Sequence, residues 1–162
     1  MKACEGKIGR VFVMRLEEGD LIPDCIETFA EENEISVGQV VLIGGIGSGE
    51  IVSGPRNADE MPPQPIFRSV DGPHEVAGVG LLAPGEEGKP ILHIHAALGR
   101  SGDTISGCLR PGVTTWLVGE VIITEILGAD VARILDERSG FALLEVGALN
   151  SSGIVTAQVD RL

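Results

Sequence analysis

β-prone residues run from Arg10 to Leu16 and stop at the polar segment Glu17-Glu18-Gly19, the signature of a first strand ending in a turn. The period then changes. With Asp20 as N-cap, Leu21, Ile22, Cys25, Ile26, Phe29 and Ala30 recur at helical spacing, while Asp24, Glu27, Glu31 and Glu34 take the opposite side. This predicts one amphipathic helix laid on a sheet. Val37 to Val52 reads as one strand or two, broken by Gly44, Gly45, Gly47 and Gly49, where glycine permits bulges or close backbone approach.

Pro62, Pro63 and Pro65 make the segment from Asn57 to Pro65 a surface loop. Strands are predicted beyond it at His74–Ala83, Pro90–Leu98, Val113–Leu127 and Phe141–Val146, separated by turns rich in Gly, Pro and Asp. Successive strands joined by short turns imply a mainly antiparallel sheet, and one helix with many strands implies an α+β domain with the helix on one face of a curled sheet. No internal repeat is visible. The tail after Asn150 reads either as a frayed end or as an edge strand.

Two patterns refine this picture. The glycine-rich stretch is followed by Glu50-Ile51-Val52, a continuing strand and not a helix, so it is no dinucleotide-binding fingerprint. In the strand at Leu117–Leu127, Leu117, Val121 and Ile123 are expected on one side and Val118, Ile122 and Ile126 on the other, which predicts burial on both faces. With one helix to cover the sheet, an apolar face is left over for contact between subunits.

The 162 residues fit one domain, and a composition 43% hydrophobic and 22% charged is that of a globular chain. With no Tyr and one Trp, the core must be aliphatic and no aromatic stacking platform is on offer. The net charge of -12 repels phosphate polyanions over a Debye length of about 10 Å in roughly 0.1 M salt. Unaided nucleic-acid binding is therefore disfavoured. The acid is concentrated between Arg15 and Arg56, a stretch without Lys or Arg, and reads as a solvated helix face.

Cys4, Cys25 and Cys108 are an odd set without CxxC spacing, and Met1 is followed by no apolar signal region, so a reducing cytoplasm is the expected compartment. Cys25 reads as a small core residue and Cys4 as a terminal thiol. No run approaches the roughly 18 apolar residues of a spanning helix, and no membrane role is expected.

Four segments, in order, carry a family resemblance: Arg10-Val11-Phe12-Val13 with Leu16-Glu17-Glu18-Gly19; Ile46-Gly47-Ser48; His74-Glu75-Val76; and the block from Pro90 through His93-Ile94-His95 and Gly107-Cys108-Leu109-Arg110-Pro111-Gly112 to Glu120-Val121-Ile122-Ile123. Over about residues 7–146 the chain resembles the plant and prokaryote conserved (PPC) domain family, in its stand-alone prokaryotic form, leaving 147–162 as a C-terminal tail. The resemblance implies one domain over 1–162, with a strongly bent antiparallel sheet and assembly into a homotrimer. Plant members add an AT-hook that grips the minor groove; this chain has no Arg-Gly-Arg-Pro segment, so the DNA-binding label of the family rests on a part that the sequence lacks.

The resemblance also implies a site. Two strand histidines and a turn histidine of the family look like metal ligands, and by position they become His93, His95 and Cys108, the family's Gly-His-Leu turn being Gly107-Cys108-Leu109 here. Residues two apart on a strand share a face, so His93 and His95 project together, and the chain turns at Gly102-Asp103 and returns to Cys108. Two His and one Cys suit zinc or another divalent transition metal, with a fourth position for water or a substrate atom. The plain alternative is a polar pocket for a small ligand. His74 follows Asp71-Gly72-Pro73, is expected in a turn, and is left out of the site.

Two function classes follow. One is a trimeric binding or regulatory module that holds a partner protein or small molecule. The other is a small metal-dependent enzyme, which needs a general base near the metal; Glu120 is the one candidate in the matched block, unless it pairs with Arg110. The binding module is the preferred reading.

Overall fold

The structure is a computed structural model that describes residues 1–147; the expectation for the tail after Asn150 lies outside the described residues. The elements in chain order are β1 (Lys7–Glu17), β2 (Leu21–Ile22), α1 (Asp24–Glu32), β3 (Gly38–Pro55), β4 (Pro65–Pro84), β5 (Pro90–Arg100), β6 (Asp103–Leu109), β7 (Val113–Leu127), β8 (Val131–Asp136) and β9 (Phe141–Val146). The main sheet has the order β1-β7-β3-β4-β5-β6, all antiparallel, with β2 added on β7 and β8-β9 as a separate hairpin.

The bend comes from β3. One edge of this long strand pairs with β4, and the other pairs first with β7, over Gly38–Ser48, and then with β6, at Ile51 and Val52. Since β6 also pairs with β5, the path β3-β4-β5-β6 closes on itself. Gly107 makes the closure sterically feasible: a Cβ there would stand 2.2 Å from the Val52 carbonyl oxygen. Gly45 does the same against β7, where a Cβ would meet the Trp116 carbonyl oxygen at 2.3 Å. The glycine-broken strand read from sequence is thus continuous, with register shifts near Ile46.

One face of the sheet and the helix enclose an aliphatic core that includes Ile22, Ile26, Leu42, Ile46, Ile94 and Ile123, all fully buried. Each such side chain contributes about 1.5–3 kcal/mol by leaving water. On the helix, Ile26 and Ala30 are buried, Phe29 meets Phe12 edge to face at 5.3 Å, and Cys25 packs against the core as expected. Glu27 ties the helix to the sheet, its Oε1 accepting the Leu92 backbone N–H at 2.7 Å beyond the point where β6 pairing ends. Burial pushes the Glu27 carboxyl above its ordinary value, partly opposed by that hydrogen bond.

The helix begins later than expected. Leu21 and Ile22 pair with Thr114 and Val113 of β7, and Pro23 stands at the N-cap without a side-chain cap. Pro23 explains this, since the residue before a proline is pushed out of the helical region while proline itself suits a helix start. Asp20 caps nothing; its carboxylate accepts the Glu17 N–H at 2.8 Å and closes the preceding turn. His74 is not in a turn but within β4, opposite Ile46, its Nδ1 2.8 Å from the Gly72 carbonyl oxygen; the Gly72-Pro73 signal marks an irregularity inside a strand.

In β7, Val121 and Ile123 are fully buried, whereas Ile122 is 44% exposed in the single chain. Leu117 does not join Val121 and Ile123, because a φ of 60° turns it outward. Glu125, also on the inner side, is 5% exposed and held by Arg10, whose backbone N–H, Nε and Nη2 donate to it at 2.9, 2.8 and 2.7 Å. These bonds pull its carboxyl down to about 2.

The strand at Phe141–Val146 forms where expected, but its partner β8 was not anticipated. β8 carries an arginine, Arg133, that is 5% exposed. The hairpin rests on the sheet through a small second cluster of Val37, Ala83 and Val131. No helix among the described residues is long and apolar enough to cross a membrane.

Candidate metal centre

The register of the sheet places the site. His95 lies opposite Cys108 on β6 and opposite Val79 on β4, while His93 lies opposite Leu81. Directly opposed residues of an antiparallel pair leave the same face, so the closure of β6 onto β5 delivers the thiol to the two imidazoles. The Nε2 atoms of His93 and His95 are 3.1 Å apart, with the rings nearly perpendicular at 82°. One ligand atom from each of His93, His95 and Cys108 lies within 4.8 Å of the others. Both histidines are exposed and Cys108 is half-buried, its Sγ lying 3.6 Å from the Leu109 carbonyl oxygen.

This donor set fits a transition metal. Bonds of about 2.1 Å to nitrogen and 2.3 Å to sulfur need donors some 3.5 Å apart around a tetrahedral ion. The imidazole pair, at 3.1 Å, stands close to that spacing, and the thiol lies within 4.8 Å of both rings' ligand atoms. Three protein donors leave a fourth position open. Although His93 is exposed as a residue, partial desolvation of its imidazole holds the pKa below its ordinary value, helped by the positive charge of Arg133, by His95 and by Arg110, which favours the neutral form that can donate a lone pair.

A sequence profile decides the family. The profile of the Plants and Prokaryotes Conserved (PCC) domain matches residues 3–127. The chain belongs to this family. It is the PPC family to which the sequence is similar, and the segments read from Arg10 to Ile123 fall inside the matched range.

Solved structures resemble this PCC domain over most of its length. The metal-containing protein AF0104 from Archaeoglobus fulgidus is 27% identical, with a TM-score of 0.77 over 90% of this chain and 99% of its own. A plant- and prokaryote-conserved protein from Pyrococcus horikoshii is 24% identical, with a TM-score of 0.77 over 90% of this chain and 97% of its own. A protein of Bacteroides thetaiotaomicron, named as a candidate DNA-binding protein, is 17% identical, with a TM-score of 0.69 over 87% of this chain and 97% of its own. No curated protein matches the chain.

Within the PCC domain, Glu120 is not brought to the three ligands. It faces Arg15 on one side and Ile43 on the other, on β7, which is separated from β5 by β3 and β4. At about 4.8 Å per strand the distance along the sheet is roughly 14 Å. Nor does Glu120 pair with Arg110; among the described residues no ion pair involves either. His74 is no member of the ligand group.

Sequence reasoning missed Arg133. Its Nη2 donates to the Leu81 carbonyl at 3.0 Å and its Nε to the Ile91 carbonyl at 3.4 Å, which sets its charge near the site. The available signal was a lone arginine in the apolar run Val131-Ala132-Arg133-Ile134-Leu135, a pattern in which the charge must find partners inside the fold.

Proposed function

We propose that this PCC domain is a homotrimeric binding module that holds a divalent transition metal, zinc by the character of its donors, on His93, His95 and Cys108. The observation that carries the reading is the meeting of three ligand atoms within 4.8 Å on an open face. When bound, the ion supplies a Lewis-acidic position for a donor atom of a small molecule or partner protein. His93 and His95 orient it from one strand and Cys108 anchors it from the next. A reducing compartment, the cytoplasm, suits a site that depends on a thiolate.

Assembly is supported by the surface next to the site. The row that contains His95 and Cys108 continues through Val79, 58% exposed, and Ile122, 44% exposed, to Val13, 80% exposed. A stripe of that kind is stabilised by covering it with another copy.

A metal-dependent enzyme is the second class. It requires a base beside the ion, and Glu120 stands roughly 14 Å away along the sheet, so the module is favoured over the enzyme. Direct DNA binding, the activity in the name of the Bacteroides relative, is opposed by the net charge of -12 and by only 12 Lys and Arg residues scattered along the chain.

The test is elemental analysis of untagged protein together with its native mass, beside a His93→Ala, His95→Ala double variant. Metal in the wild type approaching one ion per chain and lost in the variant supports the site. Equal, negligible zinc, nickel and iron in both after incubation with metal overturns it. A salt-sensitive shift of AT-rich duplex by the protein alone would restore the DNA-binding reading.

A further inference from the structure

A cavity of about 550 Å³ opens between α1, the turn from β4 to β5, and the β8-β9 hairpin, and it contains none of the three metal-site donors. Its volume is in the range of small-molecule pockets, about 300–1,000 Å³. Charge and burial are graded across it. Arg133 and Pro90 are buried at its floor beside the half-buried Glu27, whose Oε1 is taken by the Leu92 N–H. Ile91, Leu135 and Ala142 form apolar walls, and the carboxylates of Asp24, Glu86 and Glu87 are exposed at its mouth. Lys89 also lines the mouth but is engaged with Glu31 at 3.3 Å, whereas Asp24, Glu86 and Glu87 form no ion pair among the described residues.

The guanidinium at the floor has capacity to spare. Nε and Nη2 of Arg133 are taken by the carbonyls of Ile91 and Leu81, and Nη1 has no hydrogen-bond partner among the described residues. Among the described residues the buried side-chain polar atom that lacks a partner is Thr115 Oγ1, so Nη1 is not sealed from solvent, and Arg133 lines this cavity. A guanidinium nitrogen in such a place donates best to a carboxylate, in a charge-assisted hydrogen bond strengthened by exclusion of water.

The same layout decides the rest of the ligand. A plain anion must pass the carboxylates at the mouth, and a plain cation leaves Nη1 unpaired and meets its charge. We propose that this cavity binds a small zwitterion, its carboxylate on Arg133 Nη1, its short aliphatic body against Ile91, Leu135 and Ala142, and its ammonium group among Asp24, Glu86 and Glu87. This site shares no donor with the candidate metal centre, although the charge of Arg133 also bears on His93 and Cys108.

Three probes of one chain length separate the parts: ε-aminocaproate, which carries both charges, caproate, which lacks the ammonium, and hexylamine, which lacks the carboxylate. Calorimetric titration is run on chelator-stripped protein, so the outcome does not depend on whether a metal binds at His93. ε-Aminocaproate is expected to bind saturably in the millimolar range or tighter, and caproate and hexylamine roughly tenfold more weakly. Because Arg133 also braces β4 and β5, its replacement risks the fold. Ala142→Trp, at an exposed position of the hairpin, fills the cavity instead and is expected to weaken binding by about tenfold or more with the melting temperature unchanged. No saturable binding, equal binding of caproate or hexylamine, or full binding by a folded Ala142→Trp protein would each overturn the proposal.

Discussion

His95 and Cys108 are register partners on β5 and β6, and the row they belong to runs on through Val79, Val41 and Ile122 to Val13. The candidate metal donors and the exposed apolar stripe are therefore parts of one surface. The candidate ligands and the proposed contact face are placed by the same strand register, so a one-residue slip of β6 would lose the thiol from the imidazole pair.

Ile122→Glu tests the stripe. The side chain is 44% exposed in the single chain, so glutamate there leaves the core intact but places a charge in the middle of the proposed contact. Wild-type protein is expected at three times the chain mass of 16.9 kDa by light scattering, and the variant near that mass itself. A wild type already at the single-chain mass contradicts assembly through this face.

Cys108 tests the third ligand. Cys108→His restores the residue that the family resemblance places in this turn and is expected to retain zinc. Cys108→Ala should weaken zinc binding by roughly tenfold or more, measured by competition with a chromophoric chelator. Equal affinity in Cys108→Ala and wild type would mean that the histidine pair binds without the thiol.

Gly107→Ala tests the closure. The new methyl would stand 2.2 Å from the Val52 carbonyl oxygen, which is backbone and cannot rotate away, so β6 must shift off β3. The expected cost is about 1–3 kcal/mol in denaturant unfolding, with weaker zinc binding because Cys108 moves with its strand. Unchanged stability and metal content would show that β6 is not pinned there.

The pair at His93 and His95 was legible because strand periodicity alone puts residues two apart on one face. The arrival of Cys108 beside His95 depends on which strand β6 joins, a long-range pairing for which the family resemblance stood in. Helix existence was legible from the spacing of Ile26, Phe29 and Ala30, yet its start was not, because Leu21 and Ile22 fit the apolar face of a helix and the strand on β7 equally well until Pro23 is weighed. Leu117 escaped the alternation because a left-handed φ of 60° leaves no trace in hydropathy. β8 was passed over because Arg133 interrupts its apolar run, although that arginine is buried between carbonyls that only the folded sheet supplies.

Glu125 predicts how stability responds to acid. Bonding to Arg10 lowers its carboxyl from 4.5 to about 2, so the folded chain favours the ionised form more than the unfolded chain does. A group lowered on folding contributes its stabilisation above its unfolded value and loses it as pH falls toward the folded one. The loss therefore lies between 4.5 and about 2, a range in which ordinary carboxylates, near about 4, titrate as well. Glu125→Gln keeps the size and removes the charge, and at neutral pH its melting temperature should be lower by about 2–4 °C, since a charge-assisted bond becomes a neutral one. As the pH is brought down toward 2 the wild-type and variant curves should converge, because the wild-type carboxyl then carries a proton as well. The difference between the two proteins, measured by calorimetry across that range, isolates Glu125 from the other acidic groups of the chain. A difference that stays constant down to the lowest pH at which both remain folded would show that the Arg10 bonds do not depend on the charge of Glu125.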